Sequence, residues 1–297
     1  MLEVGRAVKV KSWQLVWPFW HHESRVCKSC GQGLFYEVWY CPGTQMINDI
    51  KVAFAFLTRI PITHKDEISI QRSAVWFPLV GFVIGLSSGL IFIGLNELIP
   101  AAPSAALTLI FWILVTGGFH QDGLADTFDG LVGGWNPEDR LRILKDSRHG
   151  TYGVLSIVLQ LIIQFALLST LKSQIALLAL VTAHTLGRLV PIYFMLTPAA
   201  PSHEGMGATY VRTVKKIHVL FATLLTFSLL APLIGLHLLL IGAIVGIVSL
   251  FFLLYVRKKI GGVVGDVLGA SEQIAESFIL LYFVIISTNN LWLTWLI

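Results

Sequence analysis

The chain has 297 residues, of which 55% are hydrophobic and 13% charged, a composition that excludes an ordinary water-soluble domain, where charged residues make up about a quarter. Its formal net charge of +4 comes from Lys and Arg in short stretches between apolar runs, which offer no contiguous basic face, so no nucleic-acid partner is expected. All three cysteines, Cys27, Cys30 and Cys41, lie in the first part of the chain, and the apolar body therefore has no disulfide framework.

Residues 1–45 differ in character from the rest, being rich in Trp, His, Cys and Lys without a sustained apolar period, and are read as an N-terminal extension. They lack the apolar core and small-residue cleavage site of a secretory signal. Cys27 and Cys30 form a single CxxC near Cys41, His21 and His22. A zinc site can be written from these residues, but one CxxC without a second pair is a weak signal. From Met46 a second unit, 46–297, begins with INDIKVAFAFLTRIPI, whose apolar residues share one helical face and suit a helix lying along a membrane surface, ended by Pro61.

Seven apolar stretches follow, at 75–99, 101–119, 152–171, 174–196, 218–234, 236–256 and 277–297, each near the roughly 20 residues that cross a bilayer. The fold class this predicts is all-α, a polytopic membrane bundle of about seven helices. Pro232 and Gly235 must turn the chain between the fifth and sixth. The polar segments 120–151, 197–217 and 257–276 carry Arg140, Arg142, Lys145, Arg148, Arg212, Lys215, Lys216, Arg257, Lys258 and Lys259, whereas the opposite connections carry Lys172 and almost no other cation. By the positive-inside rule these three segments, and the region before the first span, face the cytoplasm, leaving the carboxyl terminus outside. The glycines between Gly81 and Gly89 offer a small-residue face through which two copies could associate as a homo-oligomer.

The first polar segment, GGFHQDGLADTFDGLVGG, places Asp122, Asp126 and Asp129 at i, i+4 and i+7, within an arc of roughly 60° on a helix. Clustered like charges beside a bilayer repel and lose hydration, and a hard divalent ion with oxygen ligands is the simplest compensation, magnesium being the natural choice. A solvated acidic helix end is the bland alternative. Gly123 and Gly130 leave room beside the acids for a phosphate or another helix, and His120 adds an imidazole that is either titratable or a structural hydrogen-bonding group.

RLRILKDSRHGTYG then brings Arg140, Arg142, Lys145 and Arg148 beside Asp146 and Ser147 just before a helix start, a setting that suits an anionic phosphate as well as it suits topology. His184 and Arg188 lie one turn apart in the fourth span, where the arginine either snorkels to the surface or binds phosphate. His203 and Glu204 follow in SHEGMGATYVRTVKK. The last polar segment, KKIGGVVGDVLGASEQIAESF, surrounds Asp266 with Gly261, Gly262, Gly265 and Gly269 ahead of Glu272 and Glu276. Its glycines either cradle a phosphate or pack helices.

In order, GGFHQDGLADTFDGL, LKDSRHGTYGVL, EGMG and GGVVGDVLGA with the later Glu276 resemble the cobalamin synthase family, the adenosylcobinamide-GDP ribazoletransferases, and FLTRIP (Phe56 to Pro61) and FPLVG (Phe77 to Gly81) fit its opening. The resemblance spans Met46 onward. It departs at His149, where the family usually has an aliphatic residue and which is read as a change of local packing, and at Val264, where a Thr is common. What the resemblance implies is a magnesium-dependent transfer at the cytoplasmic face of a bacterial inner membrane. A ribose hydroxyl of α-ribazole, or of its 5′-phosphate, attacks the cobinamide-side phosphorus of adenosylcobinamide-GDP and releases GMP. In this picture Asp122, Asp126, Asp129, Asp266 and Glu276 hold metal. Lys145, Ser147, Arg148, Arg188 and Gly265 contact substrate or phosphate. Asp129 or Asp266 is the base, and Arg148 stabilises the charge on the leaving phosphate. Two rivals are a CDP-alcohol phosphotransferase, whose longer Asp and Arg signature DGLADTFDG does not reproduce, and a transporter, which would set acids facing one another at mid-bilayer.

Overall fold

The computed structural model describes residues 42–63, 70–146, 148–201 and 206–289; the possible zinc residues, Ser147, His203 and Glu204 lie outside these. Every regular element among them is an α-helix, and one isolated parallel bridge joins Ala199 to Val263. Two helices precede the bundle, α1 (Pro42–Leu57) and α2 (Ile70–Ala74). They are tied by Arg72 Nε donating to Asp49 Oδ2 at 2.9 Å. The helix expected to lie along the membrane surface starts at Pro42, four residues before the expected Met46, and stops at Leu57, ahead of Pro61.

Among the described residues six helices are long and apolar enough to cross a membrane: α3 (Phe77–Asn96), α7 (Thr151–Thr170), α8 (Ser173–Phe194), α10 (Lys216–Ile234), α11 (His237–Ile260) and α12 (Gly265–Thr288). The remaining expected span, 101–119, is broken. Helix α4 (Ala101–Thr116) is 16 residues long, about 24 Å against a hydrocarbon core of about 30 Å. Gly117 and Gly118 then both take φ of 67°, a left-handed conformation that glycine adopts without strain. The chain turns through 88° into α5 (Phe119–Gly133), which carries the aspartates. Two short helices complete the set, α6 (Pro137–Leu144) and α9 (Met206–Thr213). As expected, Gly235, at φ 52°, ends α10 just after Pro232.

The final span departs most from expectation. It begins at Gly265 instead of residue 277, so that the acids at 266, 272 and 276, read as loop and helix start, belong to the helix itself. Charged side chains count against a span in isolation, whereas here the bundle supplies their partners.

Helix α8 is the centre, with 83% of its apolar window buried against 17% for the peripheral α11. Gly81, Gly85 and Gly89 of α3 allow this. A Cβ at Gly85 would stand 2.5 Å from the carbonyl oxygen of Leu180, and one at Gly81 would meet the His184 carbonyl and the Arg188 side chain. The stripe expected to join two copies is therefore spent inside one chain, where small residues let two backbones meet.

The polar segments gather at one end. Ala200 N donates to Val263 O and Val263 N to Pro198 O, both at 3.0 Å, zipping the connection after α8 to that before α12. Arg140 Nη1 of α6 reaches the Lys259 carbonyl at the end of α11 at 3.4 Å, a cation on the negative end of a helix. The N-terminal part joins the same end, since Phe56, Phe77, Phe119 and Tyr210 form one aromatic cluster and the Tyr210 hydroxyl lies 3.1 Å from Ser73 Oγ.

Replacing Gly85 with Ile must separate α3 from α8, because the contacted atom is backbone. Overpacking of this kind costs about 1–3 kcal/mol or more. A lowered thermal midpoint in detergent is expected, with the wild-type value retained by Gly94→Ile, whose added Cβ meets nothing within 4 Å.

Candidate active site at the polar end of the bundle

Among the described residues two groups of acids form, and one of the two opens to solvent. Asp122 and Asp126, one turn apart on α5, face His149 in the loop between α6 and α7. Asp122 Oδ1 is 3.7 Å from His149 Nε2, and Asp126 Oδ1 is 3.5 Å from His149 Nδ1. One ligand atom from each of the three lies within 4.8 Å of the others, a spacing that could hold a metal ion. Side-chain exposure falls from 42% at His149 to 24% at Asp122 and 6% at Asp126, so the group spans the boundary between cleft and interior.

Asp129 does not join it. Its Oδ2 accepts from Gly150 N at 2.6 Å and its Oδ1 from Gly153 N at 2.7 Å. Gly150 is the N-cap of α7 and has no side chain with which to cap it, so Asp129 serves that purpose from α5, a carboxylate at the positive end of a helix. The approach leaves no space for side chains, as a Cβ at Gly153 would be 2.3 Å from Asp129 Oδ2. Two of the helix-start amides expected to receive a phosphate are in this way occupied by the protein's own carboxylate.

Beside this anchor lies a cleft of about 460 Å³ whose walls include Asp129, Asp146, Arg148, His149, Thr151 and Tyr152. Arg148 Nε and Nη2 donate to the two Asp146 oxygens at 3.1 and 2.9 Å, and Asp146 raises the guanidinium pKa above its already high ordinary value. With its side chain 86% exposed, Arg148 is a cation held at the cleft by a weak, solvent-screened pair. Lys145, also exposed, ends α6. Asp266 lies in the first turn of α12, after Gly265. A Cβ on Gly123 would come within 2.7 Å of the Asp266 carbonyl, and one on Gly269 within 3.3 Å of His120, so small residues bring α12 onto α5 next to Asp122. The room beside Gly123 holds a helix, as does that beside Gly130, where α6 packs. Val264 caps α12 without a side-chain hydrogen bond; the hydroxyl of a Thr there would be a helix cap.

The second group is interior. Arg188 of α8, 2% exposed, sits 3.0 Å from Glu272 Oε1 and 3.2 Å from Glu276 Oε1. His184 Nδ1 is 2.5 Å from Glu276 Oε1, and His120 Nδ1 is 3.3 Å from Glu272 Oε2. Gln273 Nε2 donates to Glu272 Oε2 at 2.7 Å and Glu276 Oε2 at 3.1 Å, while Gln160 of α7 donates to the Gln273 carbonyl at 2.8 Å. Arg188 thus neither snorkels nor faces the cleft, and Glu276 is set apart from Asp122 and Asp126. Glu272 and Glu276 do face each other inside the bundle, as the transport alternative requires. Their burial, at 0% and 1% exposure, and their pairing with Arg188 close that interior. Apolar length alone does not reveal Gln160, Gln164 and Gln273 as partners; the signal for the first two is their i, i+4 spacing inside an apolar span.

An all-helical bundle with six crossing-length helices and an acid-lined cleft at one end defines a polytopic membrane protein whose chemistry is gathered on one side. The family model for Cobalamin-5-phosphate synthase (CobS) matches residues 49–284, and the chain belongs to that family. Proteins named adenosylcobinamide-GDP ribazoletransferase from Shewanella baltica (strain OS155 / ATCC BAA-1091) and Shewanella oneidensis are each 37% identical to it, with 81% of this chain and 94% of the relative covered. No solved structure matches the chain.

Removing one member of a buried ion cluster strands the rest, at a cost of about 3–5 kcal/mol. Arg188→Met is expected to lower the thermal midpoint sharply, and Arg188→Met combined with Glu272→Gln and Glu276→Gln to recover part of it. A folded, wild-type-stable Arg188→Met would contradict the structural assignment.

Proposed function

We propose that this chain joins adenosylcobinamide-GDP to α-ribazole or α-ribazole 5′-phosphate, giving adenosylcobalamin or its 5′-phosphate and GMP. Family membership supports the reaction, and the observation that carries the site is His149, which lines a solvent-open cleft together with Arg148 and stands over Asp122 and Asp126. The cationic loops gather at that same end, which supports a cytoplasmic face of a bacterial inner membrane.

The donor set suits a divalent cation: carboxylate oxygens are hard ligands, and their atoms already lie within 4.8 Å of one another with His149. Asp122 and Asp126 are the residues that would hold Mg2+, which when bound would neutralise diphosphate oxygens. Arg148 lines the cleft that His149 shares and offers a planar, permanently charged donor set to the departing GMP phosphate. The attacking hydroxyl forms a bond to the cobinamide-side phosphorus as the bond to the GMP oxygen breaks, and its proton goes to a carboxylate. Both oxygens of Asp129 are engaged by backbone amides, so Asp266, at the crossing of α5 and α12, is our candidate for that base. Asp129 is instead a positioning residue, holding the loop of Arg148 and His149 against α5. The CDP-alcohol and transport alternatives have no further observation in their favour.

Purified protein in lipid, given adenosylcobinamide-GDP, α-ribazole 5′-phosphate and magnesium, is expected to release GMP and form the joined corrinoid in equal amounts. Asp126→Asn should fold and lose activity by about a hundredfold or more, the scale of removing a charge-stabilising group. No product from folded wild-type protein would reject the reaction. For orientation, Trp135 next to α5 is 91% exposed. Trp135→Cys, with Cys27, Cys30 and Cys41 replaced by Ser, should react with a membrane-impermeant maleimide only after cells are permeabilised; labelling in intact cells would invert the topology.

A further inference from the structure

His149 is exposed on the cleft, yet its position is tightly determined. The loop that carries it is pinned on its C-terminal side by Gly150 N and Gly153 N donating to Asp129, and on its N-terminal side Arg148 N closes a local turn by donating to Asp146 Oδ1 at 3.1 Å. Between these anchors the imidazole stands over Asp122 and Asp126, with separations of 3.7 and 3.5 Å. Both exceed the roughly 2.7–2.9 Å of a charge-assisted hydrogen bond. They lie close to the separation of about 3.4 Å between two ligand atoms that bind one ion tetrahedrally with bonds of about 2.1 Å. Each carboxylate faces a different ring nitrogen, but one ligand atom from each of the three residues lies within 4.8 Å of the others, so the ring is placed to share an ion with both carboxylates.

We propose that His149 contributes an imidazole nitrogen to the divalent ion held by Asp122 and Asp126, giving this chain a mixed oxygen and nitrogen site. The proposal rests on the metal reading of these aspartates given above. One ring nitrogen binds the ion and the other stays toward the second carboxylate, since both cannot reach the same ion. Imidazole suits borderline transition ions, whereas magnesium favours oxygen and gains little from it. The consequence is a cation preference shifted toward manganese relative to an all-carboxylate site, set by a residue that comes from the loop and not from the aspartate helix.

The test uses the untagged full chain in lipid nanodiscs with Mn2+ as the probe. Pulsed electron paramagnetic resonance of the bound ion is expected to show 14N coupling from one imidazole. His149→Ile should retain Mn2+ without that coupling and lose about tenfold in preference for Mn2+ over Mg2+, whereas Asp126→Asn should lose the ion. Bound Mn2+ without nitrogen coupling in the wild type, or coupling that persists in His149→Ile, would overturn the proposal while leaving the aspartate site standing. An absence of stoichiometric Mn2+ in the wild type would overturn both.

Discussion

A guanidinium inside a membrane helix has no water to solvate it and must find its counter-ions in the protein. Arg188 finds them on α12, where Glu272 and Glu276 repeat the same one-turn spacing that separates His184 from Arg188 on α8. The two rungs lock α8 to α12, and His120 brings in α5 through Glu272. Three helices are thereby set in register by one polar cluster. The acids of α12 are tolerated in a span because of it, and α12 can begin at Gly265 with Asp266 in its first turn beside α5.

Close backbone contact does the rest of the positioning. The stripe of Gly81, Gly85 and Gly89 lets α3 lie close on the backbone of α8, and Gly123 and Gly269 do the same for α5 and α12. In hydrocarbon, packing and hydrogen bonding replace the hydrophobic drive between helices, so such contacts carry much of the association. The kink at Gly117 and Gly118 turns α5 nearly square to α4, which carries the aspartates out of line with the span and toward the loop of Arg148 and His149.

Within the site, the three aspartates of α5 divide into two tasks. Asp122 and Asp126 face the imidazole, and Asp129 caps α7. Their helical spacing predicts a shared face but not this division, because the partner of Asp129 is the start of another helix whose approach depends on Gly150 and Gly153. The reach of Arg188 was equally hidden, since a span read alone gives its arginine only the surface to turn to.

The sequence by itself determined the membrane class, the places of most spans, the helical cluster of aspartates and the family, because apolar length, charge spacing and motif order are properties of local chain. It also indicated through its cations that the polar segments share a side, which the Ala199 to Val263 bridge and the Arg140 to Lys259 contact realise at one end of the bundle. Only the tertiary structure decided where α12 begins, that α4 stops short and breaks, that Glu276 and Arg188 are interior and that His149 stands over Asp122 and Asp126. Each of these depends on a partner far away in the chain, and the energy of a charge in or beside a membrane is set by what it meets there.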